Sequence, residues 1–109
     1  MAGDFNDQPR SAPLAALLRT KNLTDVLAKQ FADPRDRWTY KDKSQLDYLL
    51  VSKPLAEAMT VAGVERRGLF EAEKLTKNLP SGQVCAFPSV TSDTNDASDH
   101  AAVWAEFRV

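Results

Sequence analysis

The period of apolar and polar positions changes several times along this chain, and each change marks an element. From Gln45 to Val51 the residues alternate, with Leu46, Tyr48 and Leu50 on one face of an extended segment and Asp47, Leu49 and Val51 on the other. Both faces are largely apolar, the pattern of a strand covered on two sides. Ala101 to Val109 alternates in the same way, setting Ala101, Val103, Ala105 and Phe107 against Ala102, Trp104, Glu106 and Arg108. Arg37 to Tyr40, rich in aromatic and β-branched residues, predicts a short strand that turns at Asp42-Lys43-Ser44. Met1 to Phe5 reads as the tail of a strand, and Val61 to Phe70 as another, weakened by Gly63 and Gly68.

Helical spacing fills the intervals. Ser11 and Pro13 supply a cap and a first-turn proline for a helix whose apolar face is Leu14, Leu17 and Leu18, with Asn22 as its stop. Thr24 and Asp25 cap a second short turn that buries Val26, Leu27 and Phe31. Ser52 and Pro54 repeat the start signal and open a helix through Leu55 and Met59, while Glu71 to Asn78 is helical up to the break at Pro80-Ser81-Gly82. Ser89 to Ser98 is a polar loop. Strands interleaved with short helices predict a mixed α/β fold, one sheet with helices on one face.

Composition narrows the picture slightly. At 109 residues, 43% hydrophobic and 27% charged, the chain has the size and balance of one globular domain. A net charge of -1 offers no basic face for nucleic acid, although a bound cation can supply the positive charge that a phosphate needs. No apolar run reaches the roughly 18 residues of a membrane span and no secretory leader is present, so a soluble chain of open localisation is expected. Cys85 is alone and cannot form an internal disulfide; a small, partly buried side chain is expected there. Trp104 is expected beneath a helix or at an interface. Asp93, Asp96 and Asp99 lack the glycine and terminal glutamate of a calcium-binding EF-hand loop.

Three short strings carry the chemistry: Gly3-Asp4-Phe5-Asn6-Asp7, Leu46-Asp47-Tyr48, and Ser98-Asp99-His100. Asp4 and Asn6, two apart on an extended backbone, lean toward one face, where a carboxylate can engage a metal or water and an amide can donate to a phosphate oxygen. Asp47 inside a strand needs a partner. The only histidine, His100, is the natural one, because a carboxylate on one ring nitrogen fixes the tautomer and raises the basicity of the other. Phosphodiester hydrolysis wants such a set, with oxygen ligands for a hard cation and a group that handles the proton of water.

In this order the strings resemble the second half of the endonuclease/exonuclease/phosphatase superfamily, the deoxyribonuclease-like metal-dependent phosphodiesterases. Pro9, Ser11, Leu14, Leu23-Thr24-Asp25 and Trp38-Thr39-Tyr40 extend the likeness along most of the chain. The resemblance implies that Asp4 and Asn6 contact the attacking water and the phosphate. It implies that Asp99, with Asp4, binds Mg²⁺ or Mn²⁺, that His100 is the general acid/base, and that Asp47 orients it. It also implies half of a four-layer α/β/β/α sandwich, a single half-domain over 1–109 that lacks the first-half glutamate. Bare apolar sheet is costly in water, so a homodimer through the sheet face is expected, lined by Leu46, Tyr48 and Leu50 or by Leu49 and Val51, with Val103, Ala105 and Phe107 nearby. The activity implied is that of a nuclease-like phosphodiester or phosphomonoester hydrolase, acting on nucleic acid or another phosphodiester. The competing reading is a half-domain that only binds partners.

Overall fold

A computed structural model describes residues 1–19 and 22–109. In chain order it contains β1 (Ala2–Asp4), α1 (Ala12–Leu18), β2 (Leu23–Asp25), α2 (Val26–Gln30), a 3₁₀ turn (Pro34–Asp36), β3 (Asp47–Ser52), α3 (Lys53–Glu57), β4 (Met59–Glu65), α4 (Ala72–Leu75) and β5 (Ala102–Phe107). The strands form two antiparallel sheets, β1-β3-β2 and β4-β5, and not the single sheet expected.

β3 lies at the centre because both its faces are apolar, as its alternation requires. Tyr48 and Leu50 pack with Leu14 of α1 on one face, where the Phe5 ring stacks on Tyr48 with centroids 5.4 Å apart. The buried Tyr48 hydroxyl donates to the Asp7 and Gln45 carbonyls, so it is not stranded. On the other face Val51 joins Val26, Leu27, Ala56 and Ala62, with Leu49, Val103, Ala105 and Phe107 half-buried around them. The free edge of β4 is closed by α2, where Gln30 Oε1 accepts the Ala62 N–H at 2.9 Å. A third cluster gathers Trp38, Leu69, Ala72 and Ala101.

The helix starts follow the sequence signals, with a difference in mechanism. Asp25 caps α2 with Oδ1 on the Leu27 N–H, while its Oδ2 accepts from Gln45 Nε2. Ser11 and Ser52 occupy extended cap positions before a proline, yet neither hydroxyl takes a helix N–H. Proline's preset φ does that work instead. α1 closes at Leu18 with Arg19 as its cap, ahead of the expected stop at Asn22.

Four other expectations need correction. Arg37–Tyr40 is not a strand: the N–H groups of Thr39 and Tyr40 both turn onto the Ser44 carbonyl, leaving a single bridge between Tyr40 and His100. The strand expected over 61–70 runs from Met59 to Glu65, and the α3 helix stops before it. It ends because the Glu65 carboxylate captures the Arg67 N–H and Arg66 folds inward, its guanidinium on the Asp36 and Trp38 carbonyls. Burial lowers the Arg66 pKa to about 10, which still leaves it charged at neutral pH. Cys85 is exposed. Of the residues expected to line a dimer contact, Tyr48 and Leu50 are sequestered under α1 within the chain. No helix among the described residues is long and apolar enough to cross a membrane.

Gly63 does not interrupt β4, where a weakness was expected. It pairs with Trp104, which is 40% exposed rather than beneath a helix, and a Cβ at position 63 would stand 2.7 Å from Trp104 Cζ2. Gly63→Ala should therefore cost about 1–2 kcal/mol in urea unfolding. Most of that cost should vanish in a Trp104→Ala background. An equal cost in both backgrounds would show that the ring is not the obstacle.

Candidate functional site

The register of β1 on β3 sets Asp4 directly opposite Asp47. Directly opposed residues of an antiparallel pair point to the same face, and two carboxylates there repel. His100 is brought to this pair by the run 99–101, which lies along the Thr39–Lys41 segment. The Lys41 N–H donates to the Asp99 carbonyl at 3.1 Å and the Ala101 N–H to the Thr39 carbonyl at 2.6 Å. Ser98 Oγ accepts the His100 N–H at 3.0 Å, and the imidazole leans on the Tyr40 ring with centroids 4.9 Å apart.

His100 Nδ1 and Asp47 Oδ2 are 2.7 Å apart. An ionised carboxylate only accepts, so Nδ1 carries the proton and Nε2 is the atom left to act. Two further carboxylates stand on the Nε2 side, Asp4 Oδ2 at 3.8 Å and Asp99 Oδ1 at 3.9 Å, too far for direct hydrogen bonds. The side chains of Asp4 and Asp99 are about half exposed (48% and 47%), whereas Asp47 is 18% exposed and His100 27%. The carboxylate bonded to the ring is thus the least exposed of the three, and the other two meet solvent.

Asp4, Asp47 and His100 each offer one ligand atom within 4.8 Å of the others. A divalent cation fits this donor set. Asp47 Oδ2 is already engaged by Nδ1, so Asp4 Oδ2, with Asp99 on the same side of the ring, is the more available oxygen. No protein-family model, curated protein or solved structure matches the chain. The fold and the cluster stand on their own: a compact α+β domain with an Asp/Asp/His group able to hold a divalent metal.

Of the residues singled out in the sequence, Asp4, Asp47 and His100 meet, and Asp99, outside that group of ligand atoms, approaches the His100 Nε2 at 3.9 Å. Asn6 does not lie alongside Asp4 as an extended backbone would have placed it. The extended run ends at Asp4, Asn6 takes a left-handed φ of 50°, and its backbone N–H donates to Asp4 Oδ1 at 2.8 Å. Asn6 thereby fixes the Asp4 carboxylate while its own side chain is exposed. Two supporting residues carried no assigned role in the sequence, Tyr40 against the imidazole and Thr39 behind it. Their only signal was membership of the Trp38-Thr39-Tyr40 string.

His100 also borders an open cleft of about 390 Å³ lined by Leu69, Phe87 and Val90. A roomier cleft of about 540 Å³, at Tyr40 and Phe70, holds none of the four site residues.

The hydrogen bond to Asp47 raises the His100 pKa above its ordinary value, with the charges of Asp47, Asp4 and Asp99 adding to it and burial opposing. A histidine favoured as the cation in the folded state adds stability below its unfolded pKa of about 6.5, and that stability is lost as pH rises through the folded value. In chelator-treated protein, the His100 imidazole followed by NMR should titrate above the ordinary value. In Asp47→Asn it should fall back toward that value, with the stability difference between the two proteins shrinking at high pH. Identical titration curves would deny the pair its coupling.

Proposed function

We propose that this chain is a metal-dependent phosphodiester hydrolase, nuclease-like in chemistry, related to the second half of the endonuclease/exonuclease/phosphatase domain. The observation that supports it most is the Asp47–His100 bond of 2.7 Å, with Nε2 turned toward Asp4 and Asp99. Asp4 and Asp99 would hold Mg²⁺ or Mn²⁺, hard cations suited to oxygen ligands, and the cation would neutralise charge on the phosphate.

The chain's own residues do the rest. His100 Nε2 takes a proton from the attacking water or returns one to the leaving oxygen. Asp47, itself less exposed, keeps the ring in the tautomer that frees Nε2 and stabilises the imidazolium once formed. Asp4 is held by the Asn6 backbone so that one carboxylate oxygen remains for metal or water, and the exposed Asn6 amide is available to a phosphate oxygen. Asp99, half exposed beside the ring, completes the oxygen set.

The proposal includes a homodimer. Of the residues expected at the contact, Leu49, Val103, Ala105 and Phe107 pack on the chain's own core and are only partly covered by it. Light scattering at micromolar concentration tests this, and a monomer there removes the dimer without touching the chemistry. A second reading, a partner-binding domain without turnover, is favoured by one observation: among the described residues the cluster contains no glutamate. Hydrolysis of bis(p-nitrophenyl) phosphate with Mg²⁺ or Mn²⁺ separates the two. Turnover abolished by EDTA supports the hydrolase, and no turnover with either cation supports the binding domain.

A further inference from the structure

We infer that Thr39 is a positioning residue for the Asp47–His100 pair, its hydroxyl holding the backbone that carries Asp47 and its carbonyl holding the residue after His100. Thr39 is fully buried. Its Oγ1 accepts two N–H groups, from Leu46 and from Asp47, each at 3.0 Å. Its carbonyl accepts the Ala101 N–H at 2.6 Å, on the residue after the histidine, and its own N–H goes to the Ser44 carbonyl at 3.0 Å. The next residue, Tyr40, pairs with His100 as an isolated antiparallel bridge and packs its ring on the imidazole.

No regular ladder spans this gap. β3 begins at Asp47, paired with Asp4 of β1, and β5 only at Ala102, so Asp47 heads a strand of one sheet while His100 stands two residues before a strand of the other. Two strand ends in separate sheets have no shared hydrogen-bond register to fix their spacing. Thr39 supplies it, with the hydroxyl on the Asp47 side and the carbonyl on the His100 side. The segment is itself anchored from behind, because Arg66 Nη2 donates to the Asp36 and Trp38 carbonyls at 2.7 and 2.8 Å while its guanidinium covers the Trp38 ring. Position 39 needs a hydroxyl, because a methyl group there would leave two adjacent N–H groups without an acceptor, and the loop entering β3 would shift to rehydrate them.

The catalytic consequence rests on the proposed hydrolase, whereas the geometric claim does not. Three proteins test both: the unaltered chain, Thr39→Val, which keeps the shape, and Thr39→Ser, which keeps the hydroxyl. In the unaltered chain the Leu46 and Asp47 amide protons should be protected from exchange, and in chelator-treated protein at low temperature the His100 Nδ1–H should give a downfield proton signal. Thr39→Val should lose the downfield signal and Thr39→Ser retain it. In turnover with Mn²⁺, Thr39→Val should lose about 10- to 100-fold in kcat with KM little changed, and Thr39→Ser should stay within about 3-fold.

Free exchange of both amides in the unaltered chain would overturn the inference, and that result needs no variant to fold. A Thr39→Val protein with an unaltered Nδ1–H signal would overturn it equally. A chain with no turnover at all would end the hydrolase reading, while the amide and imidazole signals would still decide the role of Thr39.

Discussion

Replacing His100 with alanine should lower kcat for phosphodiester hydrolysis by roughly 10²–10⁴-fold, the usual contribution of a positioned acid/base group. The ring has one nitrogen bonded to Asp47 and the other facing two exposed carboxylates, so its loss removes the only imidazole of the chain from the only place where it meets the cluster. The fold should survive. His100 is a half-buried side chain at a strand end, and the bridge to Tyr40 is made by backbone. His100→Gln distinguishes roles, since it preserves a donor toward Asp47 but cannot move a proton at neutral pH. It should be as inactive as alanine while keeping closer to native stability. Activity within about threefold of the unaltered protein in either variant would place the proton transfer elsewhere.

Removing the cation should have an effect of comparable size. EDTA should abolish hydrolysis, Mg²⁺ or Mn²⁺ should restore it, and Asp4→Asn should raise the metal concentration needed for half-maximal rate by about tenfold or more. The expectation comes from the atoms. Asp4 Oδ1 is occupied by the Asn6 N–H, so Oδ2 is the oxygen that remains, and an asparagine there offers at best a neutral ligand. Asp4 and Asp47 also repel each other across β1 and β3, and removing one charge relieves that repulsion. Asp4→Asn should accordingly be no less stable than the unaltered chain while binding metal more weakly. A variant that lost stability and kept its metal dependence would assign Asp4 a structural role.

Much of this arrangement was legible in the sequence because period and chemistry coincided. β3 announced itself through alternation, and its two-faced burial followed directly, with Tyr48 and Leu50 toward α1 and Val51 toward α2 and α3. The Asp47–His100 pair was legible for a different reason: a strand carboxylate needs a partner, and only one histidine was on offer. What escaped was decided by local hydrogen bonds that override propensity. Asn6 looked extended by its spacing from Asp4, but the Asp4 side chain captured its N–H and turned the chain. Arg37–Tyr40 had the composition of a strand, yet its N–H groups close a tight turn onto Ser44. Gly63 looked like a weak point because its counterpart in the register, Trp104, lies far away in the sequence. The contacts of Thr39 could not be read at all, since they join backbone groups seven and eight residues ahead to one at Ala101, far along the chain.

The proposed divalent cation would be held by Asp4 and Asp99 on the Nε2 side of the His100 ring. Titration of Mn²⁺ into ¹⁵N-labelled protein tests it most directly, because the paramagnetic ion broadens the signals nearest to it. The amides of Asp4, Asp99 and His100 should broaden first, and Mg²⁺ should compete the effect away. Broadening centred on Asp93 and Asp96 instead, or a uniform loss across the exposed carboxylates, would contradict it.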